Sequence, residues 1–476
     1  MSTPPIHPIS DFPDKLNPML VKELRQGLRG IGFVVLFISL QALLCFILLI
    51  TATVASYENA GSQLSRVIFF FFSFAVLLIQ PLRGISALST EIKDNTIDLL
   101  CLTRLSAWRI TYGKWVSIVS QSALFLTAII PYLILRYFFG DMQMLAEILL
   151  LLSTFLLSAT FTAITVGFSG LTSALIRVIL PITAAAIGFM ILVSMYFGGR
   201  NNYQEIIQLL TLESAASTFT FLGLICICIY TAWMGLDLGT SIIAPIAENR
   251  ATLRRIVSLG LITTTLLVFS FTGVGADVVI PLCLVLCIPV SMISLTENSR
   301  LVPPIVAPFT RRGVLGKSAG RLLYPGRATG LIFVLTLYLL MHGLLLFYKY
   351  RGITVDPWDV VVLNSFFAIL FFALVLTHIF ARKYSNRIGI FMLFICSQFL
   401  ISAIIYACEE WSSKLDVMPY FFWIPTSFSY NDNMPSDALL TASYFNVVLY
   451  ATIGFVTTRP LWKHIRATEQ QVHHDP

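Results

Sequence analysis

An all-α polytopic membrane protein of about twelve spanning helices, with both termini on the cytoplasmic side, is the fold class that this sequence predicts. Three observations predict it. Hydrophobic residues make up 57% of the 476 residues and charged residues only 12%, about half the charge that a soluble domain carries. That composition excludes a soluble globule and a disordered chain alike. Apolar runs without interior charge recur along the whole chain, each long enough to supply the roughly 20 residues that a helix needs to cross the hydrocarbon core. The basic residues gather in alternate loops, as they do on the cytoplasmic side of membrane proteins. The net charge of +7 therefore reports topology and not a nucleic-acid surface.

Taken in order, the runs are 31–55, 64–82, 115–137, 144–168, 178–198, 216–238, 256–274, 277–295, 329–348, 360–380, 388–407 and 438–458. Backbone in lipid must satisfy its own hydrogen bonds, so each run is read as a helix. With the amino terminus inside, only Arg66, Arg136, Arg200, Lys349, Arg351 and Lys414 of the 31 Lys and Arg fall outside the cytoplasmic windows. An odd number of spans would place the later basic loops outside. The polar stretch before the first run is too long for a cleavable signal peptide, and the run itself is long enough to stay as an anchor. The expected location is a multi-pass protein of the cytoplasmic (inner) membrane. Cys45, Cys226, Cys228, Cys283, Cys287 and Cys396 lie within runs, Cys101 in a cytoplasmic loop, and Cys408 near the outer face, so no disulfide framework is expected.

Residues 1–30 form a cytoplasmic segment that ends in Asn17-Pro18-Met19-Leu20-Val21-Lys22-Glu23-Leu24-Arg25-Gln26-Gly27-Leu28-Arg29-Gly30. Asn17 is placed to cap a helix and Pro18 suits its first position. Leu20, Leu24 and Leu28 share one face while Lys22, Arg25 and Arg29 lie elsewhere, the pattern of a short helix in the membrane interface. An ordinary basic flank that fixes topology is the equal alternative. The loop between the second and third runs, Glu91 to Lys114, is too charged to span and too apolar for a plain linker. Ile97, Leu100, Leu105 and Trp108 suggest a short amphipathic helix and a turn, with Ser106 placed to cap the next helix. A partner gripping such an element would move the two spans it joins.

These two stretches resemble the permease subunits of ABC transporters of the second type, an exporter class whose membrane domains have six spans. In that family the first intracellular loop carries an acidic residue, Gly-Thr, an acidic-leucine run, Thr-Pro-Leu-Ser and Gly-Lys. Here Glu91, Thr96, Asp98, Leu99, Leu100, Thr103, Leu105, Ser106, Gly113 and Lys114 are similar to it, and Asn95 and Arg104 depart from it where Gly and Pro are usual. The start at Asn17, Pro18, Lys22, Glu23, Leu24 and Arg25 resembles the interfacial helix before the family's first span. The resemblance implies a six-span permease-like domain over 31–245, with residues 83–114 as the loop that receives motion from an ATPase subunit. It also implies that ATP and Mg are held by that partner, with no cofactor and no enzymatic chemistry on this chain. A second copy of the chain or another permease would be a further partner. The family's extracellular excursion between spans five and six would fall at Arg200 to Glu213, where Ile206, Leu209, Leu210 and Leu212 permit a short half-inserted helix.

Residues 246–476 carry no matching motif, although their run order mirrors the first half. They are either a divergent second six-span half or an accessory domain of a chain that must pair. Their loop, Arg300 to Gly330, holds Gly313-Val314-Leu315-Gly316-Lys317-Ser318. A phosphate-binding loop needs Gly where Arg311 stands, and a preceding strand where Pro303, Pro304 and Pro308 stand. This basic loop is expected instead to meet anionic headgroups or a cytoplasmic partner. An ion-coupled secondary transporter is the first alternative, and a non-transport membrane anchor or regulatory protein the second. Ion coupling uses ionisable groups at the midplane, and here the runs hold almost none: Asp237 lies near an inner end, Arg66 and Arg136 near outer ends, and His342 and His378 are isolated. No zinc-protease, Gly-x-Ser-x-Gly or metal-ligand pattern occurs in the sequence.

Overall fold

A computed structural model of the chain describes residues 18–54, 60–93, 106–140, 143–171, 174–198, 200–245, 248–272, 275–298, 301–353, 355–381, 387–409 and 437–474. It is helical throughout, with no strand among the described residues. The chain divides into two compact units, residues 1–170 with 177–243, and residues 171–176 with 244–476. Among the described residues ten helices are long and apolar enough to cross a membrane. The predicted runs 178–198 and 388–407 contain the shorter apolar stretches Pro181–Phe197 and Ile388–Ile401.

The first unit opens with α1 (Pro18–Leu28) and α2 (Ile31–Val54). Next comes α3 (Ala60–Ser73), which runs through a π-helical stretch, Phe74–Ile79, a single turn, Gln80–Leu82, and a 3-10 turn, Arg83–Ser86, into α4 (Ser89–Lys93). The irregularity has a cause in the sequence. Pro81 has no N–H to donate, so carbonyls one turn back lose their helical partner. A hydroxyl of the neighbouring helix serves one of them, as Ser158 donates to the Val76 carbonyl at 2.6 Å, and Thr165 adds a bond to the carbonyl of Pro81 itself at 2.7 Å. Ser and Thr commonly re-satisfy freed backbone groups in this way within membranes.

The remaining elements of this unit are α5 (Ala107–Tyr137), α6 (Met144–Phe168), α7 (Ala174–Phe197), α8 (Arg200–Leu210) and α9 (Ala215–Ile243). Phenylalanines dominate its core. Phe125 meets Phe33 edge-on at 5.7 Å and Phe37 at 5.4 Å, which joins α2 to α5. On α8 the core face is Tyr203, Ile207 and Leu210, with Ile206 and Leu212 packed beside it. Helices α6 and α9 lie in close contact along Gly167 and Gly235, where any side chain at Gly167 would overlap the Gly235 carbonyl. Gly167→Val is therefore expected to cost more than the roughly 1–3 kcal/mol of ordinary overpacking. Thermal unfolding of the full chain in detergent measures this, and an unchanged midpoint would show that the two backbones can separate freely.

The second unit comprises α10 (Arg250–Thr272), α11 (Ala276–Thr296), α12 (Pro303–Thr310), α13 (Gly313–Leu323), α14 (Arg327–Tyr350), α15 (Pro357–Phe380), α16 (Ile388–Glu409) and α17 (Asp437–His474). Asp356 and Asp359 form a capping box around Pro357 at the start of α15, which satisfies donors that the helix leaves open. Within the bundle, Tyr338 donates to Asn364 and Asn364 to Ser443, each at 2.9 Å. The His342 ring lies tilted by 50° against that of Tyr338, ring centroids 4.3 Å apart. The stretch Gly313–Ser318 is helical and belongs to α13. Helices α12 and α13 fold back on α17 around Ile305, Val306, Tyr324 and Ile465. Arg321 closes that layer with a two-armed bond to Glu469, at 2.8 and 3.2 Å.

Several helices outrun the apolar stretches that predicted them. The run 64–82 lies in a continuous helical segment that ends at Lys93. The run 115–137 begins at Ala107, and 438–458 lies in a helix that reaches His474. Hydropathy marks only the lipid-facing length, whereas backbone hydrogen bonding continues into the polar interface until a cap stops it.

Candidate functional site

Three elements of the first unit meet at one lysine. Helix α1 brings Glu23, α4 brings Glu91 and α5 brings Lys114. The Lys114 ammonium donates to a carboxylate oxygen of Glu23 at 3.0 Å and of Glu91 at 3.1 Å. Its side chain is 6% exposed, against 17% for Glu23 and 15% for Glu91. One cation thus serves two largely buried carboxylates.

Each side chain is placed by its own helix. On α1, Leu20, Leu24 and Leu28 are half-buried, and Lys22, Arg25 and Arg29 are exposed. That leaves Glu23 on the flank that turns to α5, where Gly27 also faces Gln121 and Ser117. Ser106 is the N-cap of α5, and its hydroxyl accepts from the Arg109 N–H at 3.4 Å. The cap fixes where α5 begins, and with it the direction of Gly113 and Lys114, both buried. Ser106→Ala is expected to cost about 1 kcal/mol, read as faster amide exchange in Arg109 and Ile110. Unchanged exchange there would mean that the turn holds without its cap.

Surrounding contacts tie the same helices together. Arg83 donates to the side-chain oxygen of Gln121, and its guanidinium lies 5.7 Å from the ring centre of Phe33. Along α5, Trp108, Tyr112 and Trp115 form an aromatic ladder with centroids 6.3 and 5.4 Å apart. The Trp115 indole donates to the Ala159 carbonyl at 2.8 Å. Such rings favour the boundary between hydrocarbon and headgroups.

Of the residues singled out in the sequence, the structure brings Glu23, Glu91 and Lys114 together, with Ser106 and Gly113 on the helix that carries Lys114. Asn17, Thr96, Asp98, Leu99, Leu100 and Leu105 lie outside the described residues, as does most of the expected amphipathic helix. Pro18 begins α1. Sequence reasoning missed the partners: Gln121 for Arg83, and a buried pair of Arg136 with Glu147 at 3.0 Å elsewhere in the unit. Burial, then the charge of Glu147, raises the pKa of the Tyr203 phenol beside that pair. Polar residues in apolar runs signal that such partners exist, but not which.

The cluster around Lys114 contains no nucleophile flanked by a base, and no group of three His, Cys, Asp or Glu occurs with metal-binding geometry among the described residues. It can clamp three segments through charge. No family model, curated protein or solved structure matches the chain.

Proposed function

We propose that the chain is the permease subunit of an ATP-driven ABC-type exporter, energised by a separate ATPase subunit. The observation that carries this reading is the shared lysine. The two stretches that resemble the family, one before the first span and one between the second and third, are distant in sequence, yet Glu23 and Glu91 bind one ammonium. Residues 94–105 are the stretch of sequence that joins α4, which carries Glu91, to α5, which carries Lys114. In the proposed mechanism the ATPase grips this connection, and closure on ATP pulls on Glu91 and Lys114. Helix α1, held by Glu23, moves with them. Rigid-body motion of this kind is a common switching mode. Glu91, Thr96, Asp98, Leu99, Leu100, Leu105, Ser106, Gly113 and Lys114 form the proposed coupling set, and Asn17 to Arg29 the interfacial helix.

The same reading assigns twelve spans by counting Pro181–Phe197 and Ile388–Ile401 as crossing, with both termini in the cytoplasm. Residues 31–245 are the permease domain. Residues 246–476 are either its divergent repeat or an accessory domain.

Purification of the full chain from its native membrane, followed by mass spectrometry of bound proteins, tests the proposal. A soluble P-loop ATPase that co-purifies and is lost on combined replacement of Leu99 and Leu100 by Ser is the expected result. One copy of this chain per ATPase pair would favour the repeat. Absence of any ATPase, with transport after reconstitution under an ion gradient, would overturn the proposal in favour of ion coupling.

A further inference from the structure

A half-open cavity of about 530 Å3 lies in the second unit where the end of α11, the first turn of α14 and residues 461–468 of α17 meet. Leu301, Leu461 and Ile465 give it an apolar wall, and Glu297, Arg327 and His464 a polar one. Glu297 does not make the cavity acidic. Its carboxylate accepts from Arg254 at 3.4 Å, from Arg255 at 3.0 Å and from the Gly326 N–H at 3.0 Å, so two guanidiniums share one negative charge.

Arg327 is in a different position. It is half-buried on the cavity wall and makes no hydrogen bond or ion pair among the described residues. The buried Arg387 adds a second positive charge close to it. The amino terminus of α14 opens on the same space. Its N-cap is Gly326, with φ at +119° and no capping side chain. That backbone conformation is open to glycine at low cost, and it leaves the first N–H groups of the helix without a side-chain acceptor. A half-buried guanidinium without an acceptor, as at Arg327, is costly unless an anion completes it.

We propose that this cavity binds the phosphoryl headgroup of an anionic membrane lipid. Arg327 and the first turn of α14 hold the phosphate, since helix amino termini and arginine both favour phosphate oxygens. Leu461 and Ile465 meet the glycerol and upper acyl chain. The cavity lies at helix ends in a unit rich in basic residues there, which is where anionic headgroups are found. A soluble phosphate ester presents the same head without the apolar tail, and the apolar wall favours the lipid.

The test uses the full chain in mild detergent, with native mass spectrometry after addition of phosphatidylglycerol or phosphatidylcholine, and thermal shift with inorganic phosphate alone. Retention of phosphatidylglycerol over phosphatidylcholine by about tenfold or more is expected, as is loss of that preference in Arg327→Gln. Lys463→Gln, exposed on α17 and not on the cavity wall, should keep it. If Arg327→Gln melts early, Leu461→Trp, which fills the cavity and leaves both arginines, should lose the preference instead. Equal retention of the two lipids by the wild type, or an undiminished preference in a folded Arg327→Gln, overturns the proposal. Stabilisation of the wild type by inorganic phosphate without lipid preference assigns the cavity to a soluble phosphate and overturns the lipid.

Discussion

Lys114→Met is expected to destabilise the chain by about 3–5 kcal/mol, the cost of removing one partner from a buried ionic cluster. Met preserves length and apolar contact, so the loss isolates charge. Without the ammonium, the Glu23 and Glu91 carboxylates, each bound to Lys114 at about 3 Å, are left facing the same point without the cation they share. Helix α1 and α4 should then separate from α5. The triple variant Glu23→Gln, Glu91→Gln, Lys114→Met should recover most of the stability, because neutralising all partners together costs far less than orphaning one. Thermal unfolding of the two variants measures the first effect. The proposed coupling predicts a second: the triple variant folds and binds its ATPase but no longer transports. A single Lys114→Met variant that melts like the wild type would show that the clamp holds nothing together, and a transporting triple variant would remove its role in coupling.

Arg255→Met should have an effect of the same order in the second unit. Arg255 is 1% exposed and donates to Glu297 at 3.0 Å. It also donates to the carbonyls of Leu322 at 3.1 Å, Tyr324 at 2.5 Å and Gly326 at 3.1 Å, and to the Thr329 hydroxyl at 3.0 Å. One guanidinium thus holds the whole turn between α13 and α14. Its removal takes one guanidinium from the buried Glu297 carboxylate and one donor from each of these carbonyls, for a total of about 3–5 kcal/mol. Lys in its place keeps the charge but not the planar fork, and should rescue little. Hydrogen exchange resolves the effect: residues 322–330 should lose protection first, while α15 and its Asn364 network keep theirs. Uniform loss of protection would mean that Arg255 supports the bundle and not the turn.

Helix existence was legible in the sequence because lipid enforces it: an apolar run of sufficient length has no other way to satisfy its backbone. Helix limits were less legible. Ala107 to Lys114 reads as loop by hydropathy, yet Ser106 caps it as the first turns of α5. The residues of the candidate site were identifiable one by one, since Glu23, Glu91 and Lys114 stand out as charges beside apolar runs. Their meeting was not. It depends on α1 packing along α5, which no local pattern encodes. Arg136 with Glu147, and Arg255 with Glu297, were missed for the same reason: a charge near a helix end looks like a topological marker until the partner helix is placed against it.

The π-helical stretch at Phe74–Ile79 has a bearing on the clamp that lies further along the same segment. A widened turn accommodates one more residue than an α-turn does, and each residue advances an α-helix by about 100°. Everything after Ile79, Glu91 included, is therefore rotated about the segment's axis relative to an unbroken helix. The wide turn and the tighter 3-10 turn at Arg83–Ser86 together set the direction from which Glu91 meets Lys114. Shortening the segment by a single residue there would leave every apolar residue in lipid and the hydropathy unchanged, while turning the carboxylate away from its cation.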